Sequence, residues 1–200
     1  MDFRVRPEME TMRAFIAIEL PSEIKASLAT LQKELKQGAN FVRFVDPEGI
    51  HLTLKFLGSV DSKKLPGIID AIDAVAEKIP PFKLGLERVG VFPSMSRPRV
   101  IWVGTTGDVE MLLQLQKNIE DALLPFGFAK ESRQFTAHLT LARIRERMPA
   151  EELETLRNAI SSTQYKYGGY LNVDSVSLMR SILTPKGALH SQISSTKLKG

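Results

Sequence analysis

The sequence predicts an α+β fold in which two lobes pack into one domain, and three observations lead there. Strand-like and helix-like stretches alternate along the chain from Arg13 onward. No glycine- or serine-rich linker and no low-complexity tract interrupts them. The tetrapeptide His-Leu-Thr-Leu occurs twice, at His51–Leu54 and His138–Leu141, and the copies lie 87 residues apart (138 − 51). Each copy falls in a strand shortly before an amphipathic helix, as a pseudo-twofold pair of lobes requires. Two hundred residues suit one domain, or two small lobes sharing a core.

Residues 1–12 read as a loose, flexible arm, and 13–200 as the single bilobal domain. Arg13–Leu20 has the continuous apolar character of a buried strand, closed by Pro21. Ser22 is a candidate N-cap, after which Ile24, Leu28, Leu31 and Leu35 recur at helical spacing until Gly38. Phe41–Val45 is a short strand, Asp46–Gly49 a turn, and His51–Leu57 the next strand. Apolar residues at Leu65, Ile68, Ile69, Ile72, Val75, Ala76 and Ile79 mark a second helix before Pro80-Pro81. Phe82–Phe92 and Arg99–Thr105 read as strands around the loop Pro93–Pro98. A third helix carries Leu112, Leu115, Ile119 and Leu123 and stops around Pro125–Gly127. The strand of His138 follows, then a helix opening near Pro149-Ala150-Glu151. Two strand-like runs, Leu171–Leu183 and Ala188–Ser194, flank the turn Thr184–Gly187.

Composition narrows the chemistry. Cysteine is absent, which excludes disulfide scaffolds, thiolate metal sites and a cysteine nucleophile. Lys and Arg number 27 against 23 for Asp and Glu, a net charge of +4. That excess is compatible with an anionic partner such as RNA and does not single one out. No window approaches the roughly 18 consecutive apolar residues of a membrane span. The N-terminal stretch has charges but no apolar core, unlike a signal peptide. The expectation is a cytoplasmic monomer without a membrane segment.

Strand periodicity gives the repeat its chemical meaning. Successive side chains alternate faces, so His51 and Thr53 share one face and Leu52 and Leu54 the other. His138 and Thr140 repeat the arrangement against Leu139 and Leu141. If the strands neighbour one another around a cleft, the cleft holds two imidazoles and two hydroxyls. An imidazole titrates near neutrality, so one copy can take a proton while the other gives one. Hydroxyls can donate to phosphoryl oxygens, and a guanidinium suits the charge that builds there. Arg143 is the nearest candidate; strict alternation turns it away from His138, so it reaches the site only if the strand bends or ends near Ala142.

Beyond the two tetrapeptides, the stretches "RAFIAIELP", "HLTLKFLG", "VGVFPS", "PRVIWVG", "RQFTAHLTLAR" and "SILTPKG" resemble the 2H phosphoesterases. The similarity is to their RNA 2′,3′-cyclic phosphodiesterases, once called 2′-5′ RNA ligases, and it extends over nearly all of the chain from Arg13. Ala137 and His190 depart from it, since proline and an aromatic such as tyrosine are common there. The resemblance implies two antiparallel sheets facing across a central cleft, with helices outside. It implies opening of a terminal 2′,3′-cyclic phosphate to a 2′-phosphate without metal or nucleotide cofactor. His51 would be the proton donor to the 3′ oxygen and His138 the proton acceptor that activates water. Thr53, Thr140 and Arg143 would hold the phosphate. Run backwards with an RNA 5′-hydroxyl, the same site would make a 2′-5′ linkage.

His190, which lacks the His-x-Thr context, reads as structural or exposed, and Trp102 and Phe135 look like core. Arg97 and Arg99 flank Pro98 at the rim, as RNA-backbone contacts or solvated loop charges, and with Arg133 they are the alternatives to Arg143. Three rival functions stand beside the main one. A zinc hydrolase would need a third protein ligand, and no His-Glu-x-x-His or acidic cluster accompanies the histidines. A non-catalytic RNA-end binding module would not need both motifs complete. A phosphodiesterase for a small cyclic nucleotide, such as ADP-ribose 1″,2″-cyclic phosphate, would use the same residues.

Overall fold

The computed structural model describes residues 11–36, 42–144, 148–185 and 187–200. Strand β1 (Thr11–Glu19) begins two residues inside the stretch read as the arm, and residues 1–10 lie outside the described residues. Helix α1 (Ser22–Leu35) buries Ile24, Leu28, Leu31 and Leu35 as their spacing predicts. Ser22 does not cap it: Ser22 is already helical, and its hydroxyl turns to the Glu23 carboxylate at 3.3 Å. The predicted stop at Gly38, and Phe41 of the next strand, lie outside the described residues. Strand β2 (Val42–Phe44) is short. Asp46 then caps a 3-10 turn (Pro47–Gly49) by accepting from the Glu48 N–H at 3.0 Å.

Strand β3 (His51–Asp61) outruns its predicted end at Leu57. It passes through Gly58 at φ 69°, which a residue without a Cβ adopts at little cost. Helix α2 (Leu65–Ala76), β4 (Phe82–Phe92), β5 (Val100–Gly107) and α3 (Val109–Leu123) follow. Strand β6 (His138–Ile144) opens on the second histidine. Helix α4 (Ala150–Ser162) leads to β7 (Leu171–Val173), β8 (Ser175–Thr184) and β9 (Gly187–Lys197). The run predicted as one strand thus breaks at Asp174, and its two pieces join different partners.

The strands form one antiparallel path, β7-β4-β5-β6-β3-β1-β8-β9, with β2 added to β6. The resemblance implies two antiparallel sheets facing a cleft, and the path consists of two four-stranded halves that meet at a single residue pair, Leu52 with Leu139. These are the same position of the two tetrapeptides, and an antiparallel pair has a local twofold axis between its strands. The pseudo-twofold axis therefore runs between Leu52 and Leu139.

The halves are interleaved rather than sequential. After β1 and β3, helix α2 carries the chain over to β4, which pairs with β5 in the other lobe. After β5 and β6, helix α4 and β7 lead to β8, which returns to pair with β1. The first lobe takes β8 and β9 from the second half of the sequence, and the second lobe takes β2 and β4 from the first.

The helices cover one face of this sheet. Against them Ile16, Ile18, Leu52, Leu54, Leu139 and Leu141 enter the main core. A buried ion pair fastens helix to sheet at the same level. Lys55 Nζ of β3 donates to Glu120 Oε1 of α3 and to the Ala129 carbonyl, both at 2.8 Å. Glu120 Oε1 also accepts from the Glu131 N–H at 3.1 Å, so the pair anchors the segment that leads into His138.

The uncovered face is strongly curved. Three strand spacings of about 4.8 Å separate β3 from β9 in a flat sheet, roughly 14 Å in all. Yet the His51 and His190 rings lie 5.0 Å apart. The first lobe therefore curls its outer strand back over β3, and the concave face becomes a cleft.

Candidate active site

His51 and Thr53, with His138 and Thr140, stand on the concave face, because Leu52, Leu54, Leu139 and Leu141 fill the core side. The antiparallel pairing at Leu52–Leu139 puts the residue before each leucine beside the residue after the other. His51 is thereby neighboured by Thr140, and His138 by Thr53. Two short motifs far apart in sequence become one cluster of two imidazoles and two hydroxyls. Among the described residues neither threonine hydroxyl has a hydrogen-bond partner.

Both imidazoles are oriented by the same device. His51 Nδ1 lies 2.8 Å from the Gly49 carbonyl, and His138 Nδ1 lies 2.6 Å from the Thr136 carbonyl. A carbonyl only accepts, so in each case Nδ1 carries the proton and donates it. Each ring is then fixed as the tautomer whose Nε2 is left for chemistry. Sequence reasoning missed this symmetry, because Gly49 ends a 3-10 turn while Thr136 lies in an irregular segment, and no shared local signal marks the two acceptors.

The rings are buttressed unequally. Phe15 of β1 stacks on His51 at 4.6 Å between centroids, and His190 of β9 meets it edge-on at 5.0 Å. Burial lowers the His51 pKa to about 4, with smaller contributions from the positive potential of His190 and Lys25, against the Gly49 hydrogen bond that raises it. His51 is therefore neutral near pH 7 in the ligand-free protein. His190, read from sequence as structural or exposed, is in fact a wall of the site, and its own pKa is lowered by burial. On the other side His138 rests on the edge of Phe92, which stacks on Trp102 at 5.0 Å. Trp102 is thus a support of the cleft face rather than core. Phe135 packs partly buried against the core, as expected.

A bulge resolves the position of Arg143. Opposite β5, Thr140 pairs with Trp102 and Ala142 with Ile101, leaving Leu141 as the extra residue. Leu141 and Ala142 both point inward, so Arg143 emerges on the same face as Thr140. The strand does bend at the point where a phosphate-binding Arg143 requires it. Gln32 of α1 holds the bulge by donating to the Leu141 carbonyl at 3.0 Å and to the Val45 carbonyl at 2.8 Å. Strand β3 has the matching bulge at Leu54, which turns Phe56 outward at 63 % exposure. Phe56 is the first lobe's counterpart of Arg143.

Arg97 and Arg133 are exposed loop residues, and Arg99 is exposed just before β5. Among the described residues no three His, Cys, Asp or Glu side chains gather as a metal-binding group. No described helix is long and apolar enough to cross a membrane.

Comparison with known proteins agrees with this geometry. The chain matches the family described as LigT-like phosphoesterase over residues 18–102 and 104–190, one stretch for each half. It is 35 % identical over 182 residues to an RNA 2′,3′-cyclic phosphodiesterase of Archaeoglobus fulgidus, covering 91 % of this chain and 98 % of that one. A Methanocaldococcus jannaschii protein of the same name is 33 % identical over 182 residues, with 91 % and 98 % covered. Among solved structures, TT0787 of Thermus thermophilus superposes with a TM-score of 0.79 at 26 % identity, covering 94 % of this chain and 99 % of that one. E. coli LigT complexed with 3′-AMP gives 0.72 at 25 % identity, with 96 % and 100 % covered.

Proposed function

This chain belongs to the LigT-like phosphoesterase family, and from that premise we propose that it hydrolyses the terminal 2′,3′-cyclic phosphate of RNA to a 2′-phosphate. One observation carries the reading. Two histidines, related by a twofold axis, each donate Nδ1–H to the carbonyl two residues back and leave Nε2 to the same cleft. That is the arrangement for moving two protons across one phosphorus atom.

In the proposed reaction a water oxygen bonds to phosphorus while His138 Nε2 takes its proton. The P–O3′ bond breaks, and the departing oxygen receives a proton from His51 Nε2. Thr53, Thr140 and Arg143 donate to the non-bridging oxygens, whose charge grows in the transition state. The strained ring supplies the driving force, so no step draws on a metal or nucleotide cofactor. The same groups, with an RNA 5′-hydroxyl in place of water and the reaction reversed, support 2′-5′ ligation.

The test is the product formed from an RNA ending in a 2′,3′-cyclic phosphate. A 2′-phosphate, with activity that survives a strong chelator, supports the proposal. Burial of His51 favours a second reading, in which the neutral His51 is the acceptor and His138 the donor. That reading yields a predominant 3′-phosphate. No turnover at all leaves an RNA-end binding module, and turnover confined to a small cyclic nucleotide changes the substrate.

The pH profile follows from the His51 environment. Its folded pKa is below the ordinary value, so it is protonated only below about 4. Whichever role it has, His51 contributes a limb near pH 4 to the bell of kcat/KM, which reports the free enzyme. A bound phosphodiester anion favours the imidazolium, so the corresponding limb of kcat lies at higher pH. Imidazole NMR of the ligand-free protein checks this independently, and a His51 titrating at its ordinary value would contradict the burial argument.

A further inference from the structure

Strand β2 pairs with β6 beyond the point where β3 diverges, and its register sets Arg43 directly opposite Arg143. Val42 and Phe44 pack toward the core, so Arg43 points to the concave face with Arg143. Like charges directly opposite one another in a sheet are destabilising. Here the repulsion has no counter-charge: among the described residues Arg143 has no partner. The only bond of Arg43 there is from Nη2 to the neutral Pro185 carbonyl, at 3.4 Å. That contact reaches the turn between β8 and β9 and holds the Arg43 guanidinium at the rim where the lobes approach.

The ladder gives the spacing. Because of the bulge, Thr140 and Arg143 face Trp102 and Val100, two residues apart on β5, or about 7 Å on one face. Arg143 is thus one same-face step from the threonine that grips the reacting phosphate. Arg43 lies one strand spacing farther, about 5 Å. An arginine pair arranged in series outward from the reacting centre suits two successive anions better than one.

We infer that Arg43 and Arg143 form a two-phosphate clamp, in which Arg143 serves the reacting phosphate and Arg43 binds the adjacent phosphodiester of a polynucleotide. The ligand class is therefore an RNA chain of at least two nucleotides, and Arg43 is a residue that favours it over a mononucleotide. The inference rests on the phosphodiesterase reading, and its test separates the two.

The experiment compares a short oligoribonucleotide ending in a 2′,3′-cyclic phosphate with the matching nucleoside 2′,3′-cyclic monophosphate. In Arg43→Gln, kcat/KM for the oligonucleotide falls roughly tenfold relative to the monophosphate, the scale of one charge-assisted contact. The salt dependence of oligonucleotide binding becomes shallower by about 0.7 in slope, as for one phosphate on a single strand. Arg43→Lys keeps the charge and restores the slope. Arg143→Gln weakens both substrates alike. If Arg43→Gln lowers both equally, or leaves the binding slope unchanged, the clamp is wrong. If the wild-type protein turns over neither substrate, the functional reading fails, and the binding slopes still decide the clamp.

Discussion

Replacing either His51 or His138 with alanine is expected to lower kcat/KM about 10²–10⁴-fold, the usual contribution of a general acid or base. Each ring is held by its Nδ1 bond and presents one nitrogen to the cleft, so no neighbouring group on the same strand can substitute for it. The double variant should be little worse than the worse single one, because both protons move in one coordinated event and such effects are far from additive. His51 is packed between Phe15 and His190. His51→Gln therefore serves as a second variant that fills more of the space. Steady-state kinetics with circular dichroism on the same samples tests the expectation. Near-wild-type turnover in either alanine variant would remove that residue from the chemistry.

The second large effect is on stability. Lys55 and Glu120 are paired with almost no exposure, 2 % and 9 % of their side chains. Removing one partner of such a pair strands a buried charge, at a cost of about 3–5 kcal/mol. Lys55→Ala is thus expected to shift the urea midpoint far down, whereas Lys55→Met with Glu120→Leu should recover most of the loss. Because Glu120 also holds the Glu131 amide, the single variant should in addition loosen the segment that ends at Thr136, the acceptor for His138. A Lys55→Ala protein as stable as wild type would mean that water reaches this site.

The histidines were legible because duplication is visible without structure: two copies of one tetrapeptide in matching context imply a twofold site. Element order was legible too, since apolar spacing survives folding. The bulge in β3 was not legible, and the one in β6 was legible only as a condition, a bend near Ala142 without which Arg143 could not reach the site. A clue existed in "HLTLARI", where strict alternation drives Arg143 inward and Ile144 outward, a reversal of what burial allows. His190 was missed because its role depends on sheet curvature, which sums small twists over four strands. Arg43 was missed because nothing local ties residue 43 to residue 143; only the ladder does. Nothing local marks Lys55 as buried, because its partner Glu120 lies 65 residues away.

The exchange of strands between lobes has a bearing on how the protein is made. Pairing of β1 with β3 needs only residues through Asp61, but the other edge of β1 waits for β8, which begins at Ser175. That is 114 residues of synthesis (175 − 61), on the order of ten seconds at typical ribosomal rates. Throughout that interval the apolar run Ala14–Ile18 has one unpaired edge, the kind of edge that recruits strands from other chains. A nascent chain interrupted after Asp61 and before Ser175 would carry both histidines only if it reached His138, and even then with this edge open. The β1 edge is closed only when β8 has been made, so the first lobe is completed by the last part of the chain to be synthesised.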